Sequence, residues 1–169
     1  MRKLKCDLSK TNNLSEDAVT DFKGYLEDGG AVTVEQFMQL PMDERMYICD
    51  YLEDSNVYDV IEDYTKRYIL VHAGISGFSA EKPLEEYFFI DFICDRIDYG
   101  KRYFPDEKTY IITGHTPTPL INADASSNVY MKHGHIAVDC GCVYGGKLAA
   151  YCIETGHVMY VNAKEKYCR

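Results

Sequence analysis

Two apolar runs in this chain each end abruptly at a histidine set among small residues. Tyr68-Ile69-Leu70-Val71 leads into His72-Ala73-Gly74, and Tyr110-Ile111-Ile112-Thr113 leads into Gly114-His115-Thr116-Pro117. Short runs of β-branched and aromatic side chains bounded by turn residues predict strands. Two histidines, each at the mouth of an apolar strand, are what a site built at the edge of a sheet requires. A neutral imidazole is a good ligand for zinc, iron or manganese, and a neighbouring glycine or alanine lets a metal approach closely. A histidine beside an apolar run also serves as a hydrogen-bonded core or turn residue, and spacing alone does not choose between the two.

The rest of the chain organises around those strands. Leu14-Ser15-Glu16-Asp17 reads as a helix start and Asp28-Gly29-Gly30 as its stop. Val34–Leu40 and Met42–Leu52 carry helix-period apolar residues, interrupted by Pro41. Val57–Val71 predicts two strands around a polar turn at Thr65-Lys66. Pro83 is expected to open a helix with Leu84, Tyr87, Phe88 and Phe92 facing inward, and the aromatic run Tyr87-Phe88-Phe89 is assigned to the core. After it come five short β-rich segments: Tyr110–Thr113, Asn128–Lys132, His135–Cys140, Lys147–Ile153 and Val158–Val161. Turn residues at Lys132-His133-Gly134 and Thr155-Gly156 separate some of them. The expectation is one α/β domain over residues 1–169, helical over 1–55 and sheet-rich over 56–169.

At 169 residues the chain is long enough for one domain with a real core. Nothing approaches the roughly 18 uninterrupted apolar residues of a membrane span, and the basic start MRKLKCDLSK lacks the apolar run of a signal peptide. A cytoplasmic location is the expectation, with no membrane partner. Seven cysteines without regular spacing argue for reduced thiols rather than a disulfide framework. A net charge of −9 argues against nucleic acid as a partner. It leaves a phosphorylated substrate open, because a bound metal reverses the local field.

Four segments in order carry a family likeness: Val71-His72-Ala73-Gly74-Ile75, Phe92-Ile93-Cys94-Asp95-Arg96, Thr113-Gly114-His115-Thr116-Pro117-Thr118, and VDCGCVYGGKLAAYCIETG at Val138–Gly156. Gly29-Gly30 with Thr33 adds an upstream glycine–glycine–x–x–threonine. Together they resemble the C-terminal half of the PPP-type serine/threonine protein phosphatases, within the calcineurin-like metallophosphoesterases, and most closely the bacterial and phage branch. The resemblance implies part of a β-sandwich flanked by helices. It implies that His72 and His115 bind a metal of a dinuclear centre, manganese first, with iron or zinc as the other choices. Arg96 matches the arginine that contacts the substrate phosphate. Cys94 stands where the family has tryptophan, and Cys140 where it has threonine. Asp139 is read as a residue behind the metal ligands. Tyr144, near Gly145-Gly146, is open between reaching the phosphate and packing.

The family's three earlier motifs have no counterpart in these residues, which contain no Gly-Asp and no Asn-His dipeptide. Those motifs supply the bridging aspartate, the other metal ligands and the leaving-group acid. The expectation is therefore the C-terminal portion of a metallophosphoesterase domain with its N-terminal strands missing. The complete protein is expected to hydrolyse phosphate monoesters, on a phosphorylated protein or a small phosphate ester, and this chain alone to be inactive. The lost strands would leave an apolar face for a second copy or a companion chain. Hydrolysis of dinucleoside polyphosphates and a non-catalytic binding remnant stand as alternatives. A separate zinc grouping of His133, His135, Cys140 and Cys142 competes with buried thiols and a turn histidine; the latter is preferred.

Overall fold

The computed structural model describes residues 16–164. The protein is mixed α/β, with helices, a five-stranded mixed sheet and a two-stranded sheet. It divides into two compact units, the first ending at Ser55 and the second beginning at Asn56. Among the described residues no helix is long and apolar enough to cross a membrane.

The first unit is helical: α1 (Glu16–Tyr25), α2 (Ala31–Gln39) and α3 (Met42–Glu53). The helix start expected at Leu14-Ser15 lies outside the described residues. At Asp28-Gly29-Gly30 the structure differs from a stop. The chain passes through one wide turn, Leu26–Gly30, kinks at Gly29 (φ 97°) and runs straight on into α2. Pro41 does separate α2 from α3, with Leu40 before it extended, as the proline ring demands of its predecessor. Neither α2 nor α3 contains a buried residue, and Val32, Met38, Tyr47, Tyr51 and Leu52 are all exposed.

In the second unit, β1 (Tyr58–Glu62) and β2 (Arg67–Val71) form an antiparallel hairpin around the expected turn. The Asp63 carboxylate holds that turn by accepting from the amides of Thr65 and Lys66. β2 then pairs in parallel with β3 (Thr109–Thr113), and β3 with β5 (His135–Ala137). β4 (Tyr130–Lys132) closes the edge antiparallel to β5, giving the order β1-β2-β3-β5-β4. β6 (Lys147–Tyr151) and β7 (Val158–Asn162) make the separate two-stranded sheet.

Strand alternation gives the large sheet two apolar faces. Ile69, Val71, Ile111 and Ala137 face Phe78, Leu84, Tyr87, Phe92, Ile97 and Tyr99 of the β2–β3 crossover. Leu70, Ile112 and Ile136 face the other way, with Tyr68, Val129 and Cys140, and Ala149, Tyr151 and Val158 of the β6–β7 sheet pack against them. Gly146 admits that second layer: a Cβ there would collide with the carbonyl of Cys140 and lie 2.8 Å from that of Gly141. The Lys147 amide donates to the Cys140 carbonyl at 3.0 Å, so the β6–β7 sheet is hinged onto the loop that follows β5.

The helix expected from Pro83 is broken. A short turn at Leu84–Glu86 is followed, after an extended Tyr87 and Phe88, by one helical turn, α4 (Phe89–Ile93). Leu84, Tyr87 and Phe92 are buried as expected, but Phe88 is 77% exposed and Phe89 54%. The break rotates the middle of the aromatic run outward, because Asp91 draws the Phe88 amide into a cap at 2.8 Å.

His135, at the start of β5, is 1% exposed and its Nε2 lies 2.8 Å from the Lys101 carbonyl. That contact makes Nε2 the protonated nitrogen. Burial pushes this imidazole below its ordinary 6.5, outweighing the Lys101 hydrogen bond. The unfolded chain therefore binds a proton that the folded chain resists, so stability falls as pH drops through the unfolded imidazole value and below it. Urea midpoints measured between about pH 7.5 and about pH 5 should decline, and His135→Gln should flatten that decline. An unchanged slope in the variant contradicts the assignment.

Candidate metal-binding edge

The three parallel strands end side by side, and the residues that follow them share one edge. His72 follows Val71, His115 lies two residues beyond Thr113, and Asp139 two beyond Ala137. The β2–β3 ladder does not stop at its last paired residues, Val71 and Thr113. The Gly114 amide donates to the His72 carbonyl at 2.8 Å, one step further. This bond fixes the two histidine loops together.

The imidazoles of His72 and His115 consequently meet. Their ring centroids are 5.1 Å apart with planes inclined at 59°. Both side chains are exposed, and neither ring nitrogen is hydrogen-bonded within the described residues. Two imidazoles bound to one tetrahedral cation at ~2.1 Å per nitrogen bring their ring centres about 5 Å apart. His115 is held at φ 61°, in the left-handed region, which few non-glycine residues occupy. Strain of this kind persists only where the surroundings over-determine it, and it concentrates at functional positions.

Arg96 reaches the same neighbourhood through its backbone. The Ala73 amide donates to the Phe92 carbonyl and the Ser76 amide to that of Asp91, tying the segment after His72 to α4. Gly74 then makes the closest approach: a Cβ on it would lie 2.6 Å from the Ile97 nitrogen and 2.8 Å from the Asp95 oxygen. Arg96 sits between those two residues. Its side chain is exposed, and among the described residues no ion pair or hydrogen bond engages its guanidinium.

Asp139 acts as a brace. Its Oδ1 accepts from the Gly141 amide at 3.0 Å and its carbonyl accepts from Thr118 at 2.7 Å. Tyr144 ends a short turn, Cys142–Tyr144, and is 79% exposed. The expected strand does not extend to Cys140, which lies in the loop after β5, while Cys142 opens that turn. The grouping of His133 and His135 with these cysteines is not assembled, since His135 is directed to the Lys101 carbonyl. Among the described residues no three or more histidine, cysteine, aspartate or glutamate side chains are placed to hold a metal ion together.

Two residues beside His115 escaped the sequence reading. Thr116 and Thr118 are 4% and 0% exposed; the Thr116 hydroxyl has no hydrogen-bond partner among the described residues, and the Thr118 side chain meets the buried Cys140 thiol. Buried hydroxyls are normally satisfied. Only their position in Thr113–Thr118 hinted at a role. No protein-family model matches this chain, and no curated protein sequence matches it.

Gly74→Ala tests how the arginine loop is held. The added methyl must displace backbone rather than a pliable side chain, which costs about 1–3 kcal/mol. A thermal melt unchanged from the parent contradicts the close approach.

Proposed function

We propose that this chain supplies part of the site of a metallophosphoesterase of the PPP phosphatase type. His72 and His115 are two ligands of one divalent ion, and Arg96 is the contact to the phosphoryl group. The observation that carries the reading is the 5.1 Å approach of two exposed imidazoles at the ends of adjacent parallel strands. That edge is where open α/β sheets place their ligands.

The donor set fits one half of a mononuclear site and no more. Imidazole suits manganese, zinc or iron, but closed structural zinc sites take about four ligands. Bound there, the ion supplies positive charge to a phosphoryl oxygen. The chain's own residues orient and bind. Gly114 and Asp139 fix the loops, and the guanidinium of Arg96 offers paired N–H donors to two phosphate oxygens, a geometry lysine lacks. A bridging carboxylate is not among the described groupings, so the reading is of a site completed by groups outside the described residues, whether of the same protein, a second copy or a companion chain. The exposed apolar cleft of about 480 Å³ formed by Val143, Leu148 and Val161 with their neighbours supports such a companion. A binding module without catalysis rests on the same missing ligands.

Calorimetric titration with manganese or zinc should show binding that His72→Ala with His115→Ala abolishes. Affinity equal in the parent and the double variant sinks the ligand assignment. Turnover of a generic aryl phosphate with manganese should not exceed that of the double variant. A rate near the ~10 s⁻¹ of ordinary enzymes would instead mean that these residues complete a site unaided.

A further inference from the structure

The parallel strands have a second end, and a different chemistry gathers there. Where β2, β3 and β5 begin, a cleft of about 290 Å³ is lined by Lys66, Arg102, Lys132 and His133, with the rings of Tyr110 and Tyr151. Among the described residues no carboxylate lines it, although acidic residues outnumber basic ones by 27 to 18 in the chain. Five-residue strands separate it from the histidine edge by about 15 Å.

The convergence is built by the fold. Lys66 immediately precedes β2, Lys132 ends β4, and His133-Gly134 forms the two-residue turn into β5, both residues at positive φ (54° and 78°). The Ile111 amide donates to the Gly134 carbonyl at 2.9 Å, which fixes the turn against β3. Arg102 is oriented by donating from Nη1 to the Asp106 carbonyl at 3.1 Å. Lys66 Nζ lies 5.6 Å from the Tyr110 ring centre. Carboxylates lie in the neighbouring turns without forming ion pairs with these cations: Asp63 is felt by Lys66 and Asp124 by Lys132, while both oxygens of Asp106 face its own turn. Asp63 accepts from the Thr65 and Lys66 amides, and Asp106 from those of Lys108 and Thr109. Among the described residues no ion pair takes up Lys66, Arg102 or Lys132.

Three cations without paired carboxylates suit a dianion, and an arginine fork suits phosphate oxygens in particular. The space exceeds what a bare phosphate fills and lies near the lower limit of small-molecule cavities, about 300 Å³. We propose that this cleft is a second anion site, distinct from the histidine edge, that takes a small phosphate monoester. Its phosphate lies among Lys66, Arg102 and Lys132, and its organic part lies against Tyr110 and Tyr151.

The test titrates the whole chain, with a chelator present, with inorganic phosphate and separately with phenyl phosphate, following amide resonances. Lys66 and Lys132–Ile136 should shift while His72 and His115 do not, and phenyl phosphate should bind more tightly than phosphate. Lys66→Glu with Lys132→Glu should weaken binding by about tenfold or more, as loss of charge-assisted contacts does. The neutral pair Lys66→Gln with Lys132→Gln, less disturbing to folding, should weaken it in the same direction. His72→Ala with His115→Ala should leave it unchanged. Absence of shifts at millimolar ligand, shifts confined to the histidine edge, or affinity indifferent to both lysine pairs overturns the site. Equal affinity for the two ligands overturns the part given to the tyrosines.

Discussion

The hydrogen bond from the Gly114 amide to the His72 carbonyl extends the parallel pairing of β2 and β3 beyond the strands themselves. Everything at that edge depends on its register. With Val71 opposite Thr113, the inward residues of both strands share one core face and the histidines emerge together. A slip by one residue would turn Ile69 and Ile111 to opposite faces and part the imidazoles, since side chains alternate with period two. Apolar burial on both faces therefore specifies the site as well as the fold. The left-handed backbone of His115 is tolerated within that frame.

The two ends of the same strands present different chemistry. One end gathers two exposed imidazoles and an arginine on a loop seated against Gly74. The other gathers ammonium and guanidinium groups around aromatic rings. The acidic excess of the chain does not erase the second: Asp63 and Asp106, kept ionised by the backbone amides they accept from, face their own turns and form no ion pair with the three cations. Net charge describes solubility and long-range attraction; the direction in which each carboxylate points decides what a particular cleft attracts.

Much of the sheet was legible in the sequence. The hairpin over 57–71 and the five later strands announce themselves through β-branched runs and turn residues, and the structure differs chiefly in starting β4 later and ending β5 and β6 sooner. The histidine pair was legible because His72 follows its strand directly and His115 follows its own after one intervening residue. Local caps and kinks, and contacts between distant segments, hid the rest. Asp91 capping Phe88 breaks a helix that apolar spacing alone suggests, and Gly29 kinks a helical path where glycine usually ends one. The approach of residues 95–97 to Gly74 leaves no trace in composition. The basic cleft was invisible for a related reason: its members lie far apart in the chain and converge only through the order β2-β3-β5.

Gly146 shows how much can rest on a missing side chain. Its bare α-carbon lets the chain fold back over the carbonyls of Cys140 and Gly141, so that β6 and β7 shield Ile136 and Leu70. A methyl group at that point would pry this cover loose like a wedge under a lid. Water would then reach the rear of the sheet, and the chain would show a sticky surface to its neighbours.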